Sequence, residues 1–96
     1  MSLTLKPKNT RLYEYHCPMK RWEEIKALFN QRDGVNLPCA LLSESGELDE
    51  DTCIDTAREI SHMAIVLSLL GNSEQDFKDF IELAGWLMLC NGCSVS

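Results

Sequence analysis

Apolar positions recur at helical spacing in three stretches of this chain and alternate at strand spacing in the shorter stretches between them. In the first stretch Trp22, Ile25, Leu28 and Phe29 form one stripe, while Lys20, Arg21, Glu23, Glu24 and Lys26 take the other faces. Pro18 suits a first helical residue with Cys17 as its cap, and Gly34 suits a stop, so the spacing predicts a helix over about 18–32. In the second, Asp49-Glu50-Asp51-Thr52 suits the positive end of a helix dipole, and Ile54, Ala57, Ile60, Ala64 and Leu67 keep one face apolar. Beyond Ser61 the pattern is apolar on nearly all sides, as in a buried rod or an oligomer contact. This helix is expected over 50–70, ended by Gly71. In the third, Ser73-Glu74-Gln75-Asp76 approximates a capping box, and Phe77, Phe80, Ile81, Ala84, Leu87 and Met88 fit one helical face over 74–90. Asn91-Gly92 is a left-handed stop. Only Gly71-Asn72-Ser73 separates the last two helices, which predicts an antiparallel pair.

The strand signals are weaker. Leu3 and Leu5 alternate with polar residues, but Lys6-Pro7-Lys8-Asn9 reads as a turn, and residues 1–10 are expected to form a loose N-terminal segment. Arg11–His16 alternates as a strand with its tyrosines on one face, and Cys39–Leu42 is short and wholly apolar, like a buried strand. Val35-Asn36-Leu37-Pro38 reads as extended. Ser43–Gly46 is turn chemistry, with Glu47-Leu48 as a return arm, and Cys93–Ser96 adds a closing strand. The expected fold is α+β: one domain over 1–96, three helices, and a small sheet of three or four short strands.

Composition is that of an ordinary folded domain, with 45 % hydrophobic and 25 % charged residues. The longest apolar run, Met63–Leu67, falls far short of the roughly 20 residues of a membrane span. The opening Met-Ser-Leu-Thr-Leu-Lys has no apolar signal core, so a cytoplasmic location is expected. Five cysteines cannot complete an internal disulfide set and read as free thiols packed as small apolar groups. Charge is divided. Residues 1–32 carry seven Lys/Arg and three Asp/Glu, whereas residues 33–96 carry two Lys/Arg and twelve Asp/Glu.

Few constellations carry chemistry. Cys90-Asn91-Gly92-Cys93 has half of a zinc-knuckle spacing, and His16 and Cys17 are the candidates to complete a four-ligand site through space. A lone CxxC does not favour metal on its own, and no cofactor is expected. A redox role is disfavoured because Cys90 sits at a helix C-terminus, where the dipole opposes a thiolate. Cys17 precedes a helix start with Lys20 and Arg21 one turn on, which lowers a thiol pKa, but a base and an oxyanion site are missing. His62 reads as a core histidine, and Gly85 as a point of close helix approach. The basic residues Arg11, Lys20, Arg21, Lys26 and Arg32, with Tyr13, Tyr15 and Trp22, outline a nucleic-acid surface that the net charge of −6 opposes.

The densest signal is acidic: Glu44, Glu47, Asp49, Glu50, Asp51, Asp55 and Glu59 are seven carboxylates in sixteen residues. They do not follow a calcium loop, because Gly46 precedes most of them. A dipole-stabilised helix start accounts for Asp49–Asp51 alone. The expectation is a non-catalytic binding or inhibitor protein of the immunity-protein, antitoxin or phage-inhibitor type. It would use Glu44, Glu47, Glu50, Asp51, Asp55 and Glu59 to dock on a basic protein or a nucleic-acid-binding complex, not on nucleic acid or membrane directly. The alternatives are a self-assembling homodimer through Met63, Val66, Leu70 and Trp86, and a zinc-stabilised domain built on Cys90 and Cys93.

Tyr13, Tyr15, Trp22, Ser45-Gly46, Ala57, Ile60, Phe77, Phe80, Leu87 and Cys90-Asn91-Gly92-Cys93-Ser94-Val95 follow the order of an aromatic strand, a Trp-bearing helix, a Ser/Gly turn, two helices and a Cys-Gly turn into a strand. In this the chain resembles a group of small bacterial proteins of unknown function over about residues 12–95. It departs from their pattern at Cys93, where an aromatic is expected. The resemblance implies the α+β fold and no activity.

Overall fold

Alternation at the N-terminus sets the centre of the sheet. In β1 (Ser2–Pro7) Leu3 and Leu5 point inward and are fully buried, while Ser2 and Lys6 point out. The computed structural model describes residues 2–30, 37–71 and 73–96. β1 pairs antiparallel with β2 (Tyr15–Pro18), Leu3 opposite Cys17, and with β4 (Cys93–Val95), Leu5 opposite Val95. β3 (Gly46–Leu48) completes the order β2-β1-β4-β3, with Leu48 opposite Cys93. The segment expected to be loose is thus a central strand. Its two leucines become buried through partners as distant along the chain as Val95, a pairing that no local pattern reports.

The helices cover the inward face of this sheet. They are α1 (Met19–Asn30), the short α2 (Cys39–Ser43), α3 (Glu50–Leu69) and α4 (Glu74–Leu89). α1 buries Trp22, Ile25 and Phe29 as its stripe predicts, and Phe29 stacks on Phe80 of α4 with ring centroids 5.2 Å apart. Arg32, Gly34 and the Val35-Asn36 reading lie outside the described residues. The caps of both long helices follow the sequence: Asp49 accepts the Thr52 N–H at 2.8 Å, and Ser73 accepts the Asp76 N–H at 3.1 Å. α3 and α4 form the antiparallel pair.

Five local expectations are corrected. Cys39–Leu42 is helical, because Leu41 and Leu42 both donate back to the Pro38 carbonyl and Ser43 Oγ donates to Cys39 O at 2.9 Å. A four-residue apolar run does not distinguish strand from helix. β2 begins at Tyr15, so Tyr13 is left exposed while its carbonyl accepts the Trp86 indole N–H at 2.8 Å. On α4 the buried stripe is Phe80, Leu83, Ala84, Trp86 and Leu87, rotated from the expected one, and it leaves Phe77, Ile81 and Met88 partly exposed. The cause is α1 and β2, which take the Phe80 and Trp86 sides of the helix. His62 is exposed, and among the described residues no other element comes within 4 Å of where a Gly85 Cβ would stand, so neither has the core or close-approach role expected of it.

Candidate functional site

The carboxylates do not form one patch. Glu44 adopts a left-handed conformation (φ 61°) at the end of α2, which turns its side chain onto Lys26: Nζ lies 2.7 Å from Glu44 Oε1 and 3.0 Å from Glu23. This cation holds the Glu44 carboxyl below its ordinary pKa. Glu47 lies on β3 opposite Ser94, which in turn faces Lys6 across β4, so it belongs to the open face of the sheet. Glu50 and Asp51 occupy the first turn of α3.

What remains together is a ridge. Asp51, Asp55 and Glu59 recur every four residues along α3 and are all exposed. Asp55 and Glu59 line a cleft of about 260 Å³ together with Leu37, Pro38, Thr52 and Thr56. The cleft is bounded by two carboxylates on one wall and two apolar side chains on the other. That combination suits a long cationic side chain, whose alkyl stem prefers apolar contact while its head prefers charge. Of the six docking residues expected from sequence, the structure keeps Asp51, Asp55 and Glu59 in one row on α3 with Glu50 beside Asp51 in its first turn, and places Glu44 and Glu47 on other elements.

Two cations of α1 are held in ion pairs away from the ridge. Arg21 joins α1 to α4 by pairing with Asp76 at 2.6 Å, Asp79 at 2.7 Å and Glu24 at 3.0 Å. With Arg21 and Lys26 in ion pairs, and Tyr15 and Trp22 buried, the basic-aromatic surface that the net charge already opposed is broken up among the described residues. The homodimer face is corrected as well. Met63 and Trp86 are each only 2 % exposed in the chain's own core, while Val66 is half-buried and Leu70 exposed.

The cysteines are rearranged relative to expectation. His16 and Cys17 lie on β2, where His16 Nδ1 is 3.1 Å from Thr4 Oγ1 and Cys17 faces Leu3. Cys93 faces Pro7, four residues further along β1 and on its opposite edge. Along and across the sheet this separates the two pairs by well over 10 Å, so His16, Cys17, Cys90 and Cys93 do not form one site. Cys17 is not an activated thiol: burial raises its pKa, and Arg21 offsets this only in part.

Instead Cys53 joins Cys90 and Cys93. All three are fully buried, and their sulfur atoms lie within 4.8 Å of one another. Cys53 and Cys93 Sγ are 4.0 Å apart. The Cys90 Sγ–H donates to Leu87 O at 3.4 Å. The neighbouring Cys53 and Cys93 thiols lower the pKa of Cys90, while their own are pushed up. Cys53 is hidden in sequence because it shares the apolar face of Ala57, Ile60 and Ala64. A signal is nonetheless present, since an antiparallel pair joined by a three-residue link brings the start of α3 beside the end of α4.

Among the described residues no helix is long and apolar enough to cross a membrane. Comparison with known protein families, with characterised proteins and with solved structures finds no match.

Proposed function

We propose that the protein is a non-catalytic, cytoplasmic binding module that docks on a basic protein surface through the Asp51–Asp55–Glu59 ridge of α3. The observation that carries this reading is the cleft of about 260 Å³ beside the ridge, where Asp55 and Glu59 face Leu37 and Pro38. A partner lysine or arginine lays its stem on the apolar wall and its head between the carboxylates. The net charge of −6 favours fast, salt-sensitive encounter with such a partner and disfavours nucleic acid. A direct probe is titration of the isotope-labelled chain with a lysine- and arginine-rich octapeptide at low salt. Amide shifts are expected to concentrate around residues 51–59 and Leu37, to fade in Asp55→Asn/Glu59→Gln, and to weaken as salt rises. Shifts spread evenly over the surface, or unchanged in that double variant, remove the proposal.

A second reading, self-association, is favoured by a separate observation. Phe77, Ile81 and Met88 of α4 and Ile65 and Leu69 of α3 are all at least one-third exposed. Sedimentation at micromolar concentration distinguishes the two readings, because a clean monomer is incompatible with this one.

A further inference from the structure

The Cys53–Cys90–Cys93 cluster is separate from the acidic ridge and carries chemistry of its own. Three elements meet there: the first turns of α3, the C-terminal cap of α4, and β4. Between Cys90 and Cys93 the chain takes two consecutive left-handed residues, Asn91 (φ 59°) and Gly92 (φ 95°). That conformation curls the two cysteines back toward each other, at a cost that a non-glycine residue such as Asn91 tolerates only with surrounding support. The support is visible. A Cβ on Gly92 would lie 3.1 Å from the Leu48 carbonyl oxygen and 3.5 Å from the Glu50 nitrogen, so the turn is pressed onto the segment that leads into Cys53. The Lys8 N–H donates to Gly92 O at 2.9 Å, and the Asn9 N–H to Cys90 O at 3.0 Å, which fixes the turn from the other side.

The geometry points to a binding site for one thiophilic metal ion, Zn(II) or Cu(I), held by the sulfur atoms of Cys53, Cys90 and Cys93. Three observations bear on it. The sulfurs already lie within 4.8 Å of one another, and zinc–sulfur bonds of about 2.3 Å in a tetrahedral site place sulfurs about 3.8 Å apart. Small side-chain rotations supply the difference, and the Cys53–Cys93 separation of 4.0 Å is almost there. The Cys90–Cys93 spacing is that of one zinc-knuckle half, and α3 supplies the third sulfur from the opposite side. The setting is soft and dry, with all three residues fully buried, which favours thiolate-loving cations over magnesium or calcium.

Binding is a plain exchange. Each thiol that becomes a metal-bound thiolate releases its proton to solvent, and no oxidant or reductant is needed. Three thiolates around Zn(II) leave one negative charge, and Lys8, whose side chain packs along the Gly92 turn, is the adjacent cation. Among the described residues no fourth His, Cys, Asp or Glu joins the cluster. Three sulfurs satisfy Cu(I), whereas Zn(II) requires a fourth donor from outside the cluster.

The test uses the whole chain, reduced and purified without chelator, with zinc and copper measured separately by elemental analysis. One equivalent of either metal is expected. Cobalt(II) titration of the metal-stripped protein should give sulfur-to-metal charge-transfer absorption that saturates at one equivalent and is displaced by zinc. Cys53→Ser, Cys90→Ser and Cys93→Ser should each bring stoichiometry below a tenth, while Cys39→Ala and Cys17→Ala keep it at one. A second measurement avoids dependence on variants that misfold: stripping metal from the wild-type chain should lower its thermal midpoint, and one equivalent of zinc or Cu(I) should restore it. Protein that holds less than a tenth of an equivalent, shows no cobalt–sulfur absorption and melts identically with and without chelator has three thiols that merely pack together, and the proposal fails. It fails equally if Cys39→Ala or Cys17→Ala abolishes uptake.

Discussion

Removing Arg21 should destabilise the fold more than removing any other single charge on the helices. Its guanidinium bridges α1 to α4, with Asp76 and Asp79 at 2.6 and 2.7 Å, and the three side chains are only 24 %, 18 % and 24 % exposed. Fully exposed pairs are worth about 0–1 kcal/mol, and loss of one partner from a fully buried pair costs about 3–5. A one-quarter-exposed arginine serving two carboxylates falls between these limits. Its loss also leaves Asp76 and Asp79, three residues apart on one helix face, with uncompensated like charges. Arg21→Met, which keeps most of the stem packing, should therefore cost about 2–3 kcal/mol. For a domain of this size that corresponds to a fall of roughly 10–20 °C in the thermal midpoint. Urea denaturation followed by circular dichroism measures it, with Lys78→Met as the control, since Lys78 and Glu74 are 66 % and 84 % exposed and 3.7 Å apart. The control should change stability by less than about 0.5 kcal/mol. A double-mutant cycle with Asp76→Asn should return a coupling of about 1 kcal/mol or more. If Arg21→Met and Lys78→Met cost the same, the α1–α4 clamp is an incidental surface pair and the reasoning is wrong.

Two further outcomes follow from the geometry. Burial holds the Tyr15 hydroxyl protonated well above its ordinary value of 10.0, so its contribution to stability is complete below pH 10 and is lost as the unfolded chain ionises above it. Between pH 8 and pH 11 the urea midpoint should therefore fall further for the wild type than for Tyr15→Phe, and equal falls would contradict the assignment. Gly85 and Gly92 should respond oppositely to alanine. Gly85→Ala fills open space on a helix and should add about 0.5–1 kcal/mol, while Gly92→Ala meets the Leu48 carbonyl at 3.1 Å with φ at 95° and should lose at least about 1 kcal/mol, both read from denaturant midpoints.

The helices are legible in the sequence because each carries its own instructions. Asp49 and Ser73 cap where their side chains can reach backbone N–H groups two or three residues on, and Trp22, Ile25 and Phe29 need only one spacing rule to end up inside. Residues whose placement depends on distant partners are not legible. Leu3 and Leu5 look like a frayed end until Cys17 and Val95 are set on either side of them. The α4 stripe differs from its expected position by a fraction of a turn, because Leu83 and Trp86 are as apolar as Ile81 and Met88. Only the position of α1 and β2 decides which pair is covered. The acidic run is legible as composition but not as a surface. Whether seven carboxylates stand together depends on where Lys26 reaches and where β3 turns.

α3 is where the two proposals meet, and its geometry keeps them independent. Cys53 and Asp55 are two positions apart, which is about 200° around the helix, so one points into the core and the other away from it. A metal at Cys53 therefore cannot touch a partner seated at Asp55, and a partner cannot supply a ligand to the metal. What they share is the helix start. Asp49 fixes it by accepting from Thr52, and the Gly92 turn presses against it at Leu48 and Glu50. Tightening the cysteine cluster would clamp that start against β4 without altering the charge on the ridge. Metal loss should then loosen the first turns of α3 while leaving salt-dependent encounter with a basic partner intact. A ridge built directly on the metal-bearing face would instead lose both together.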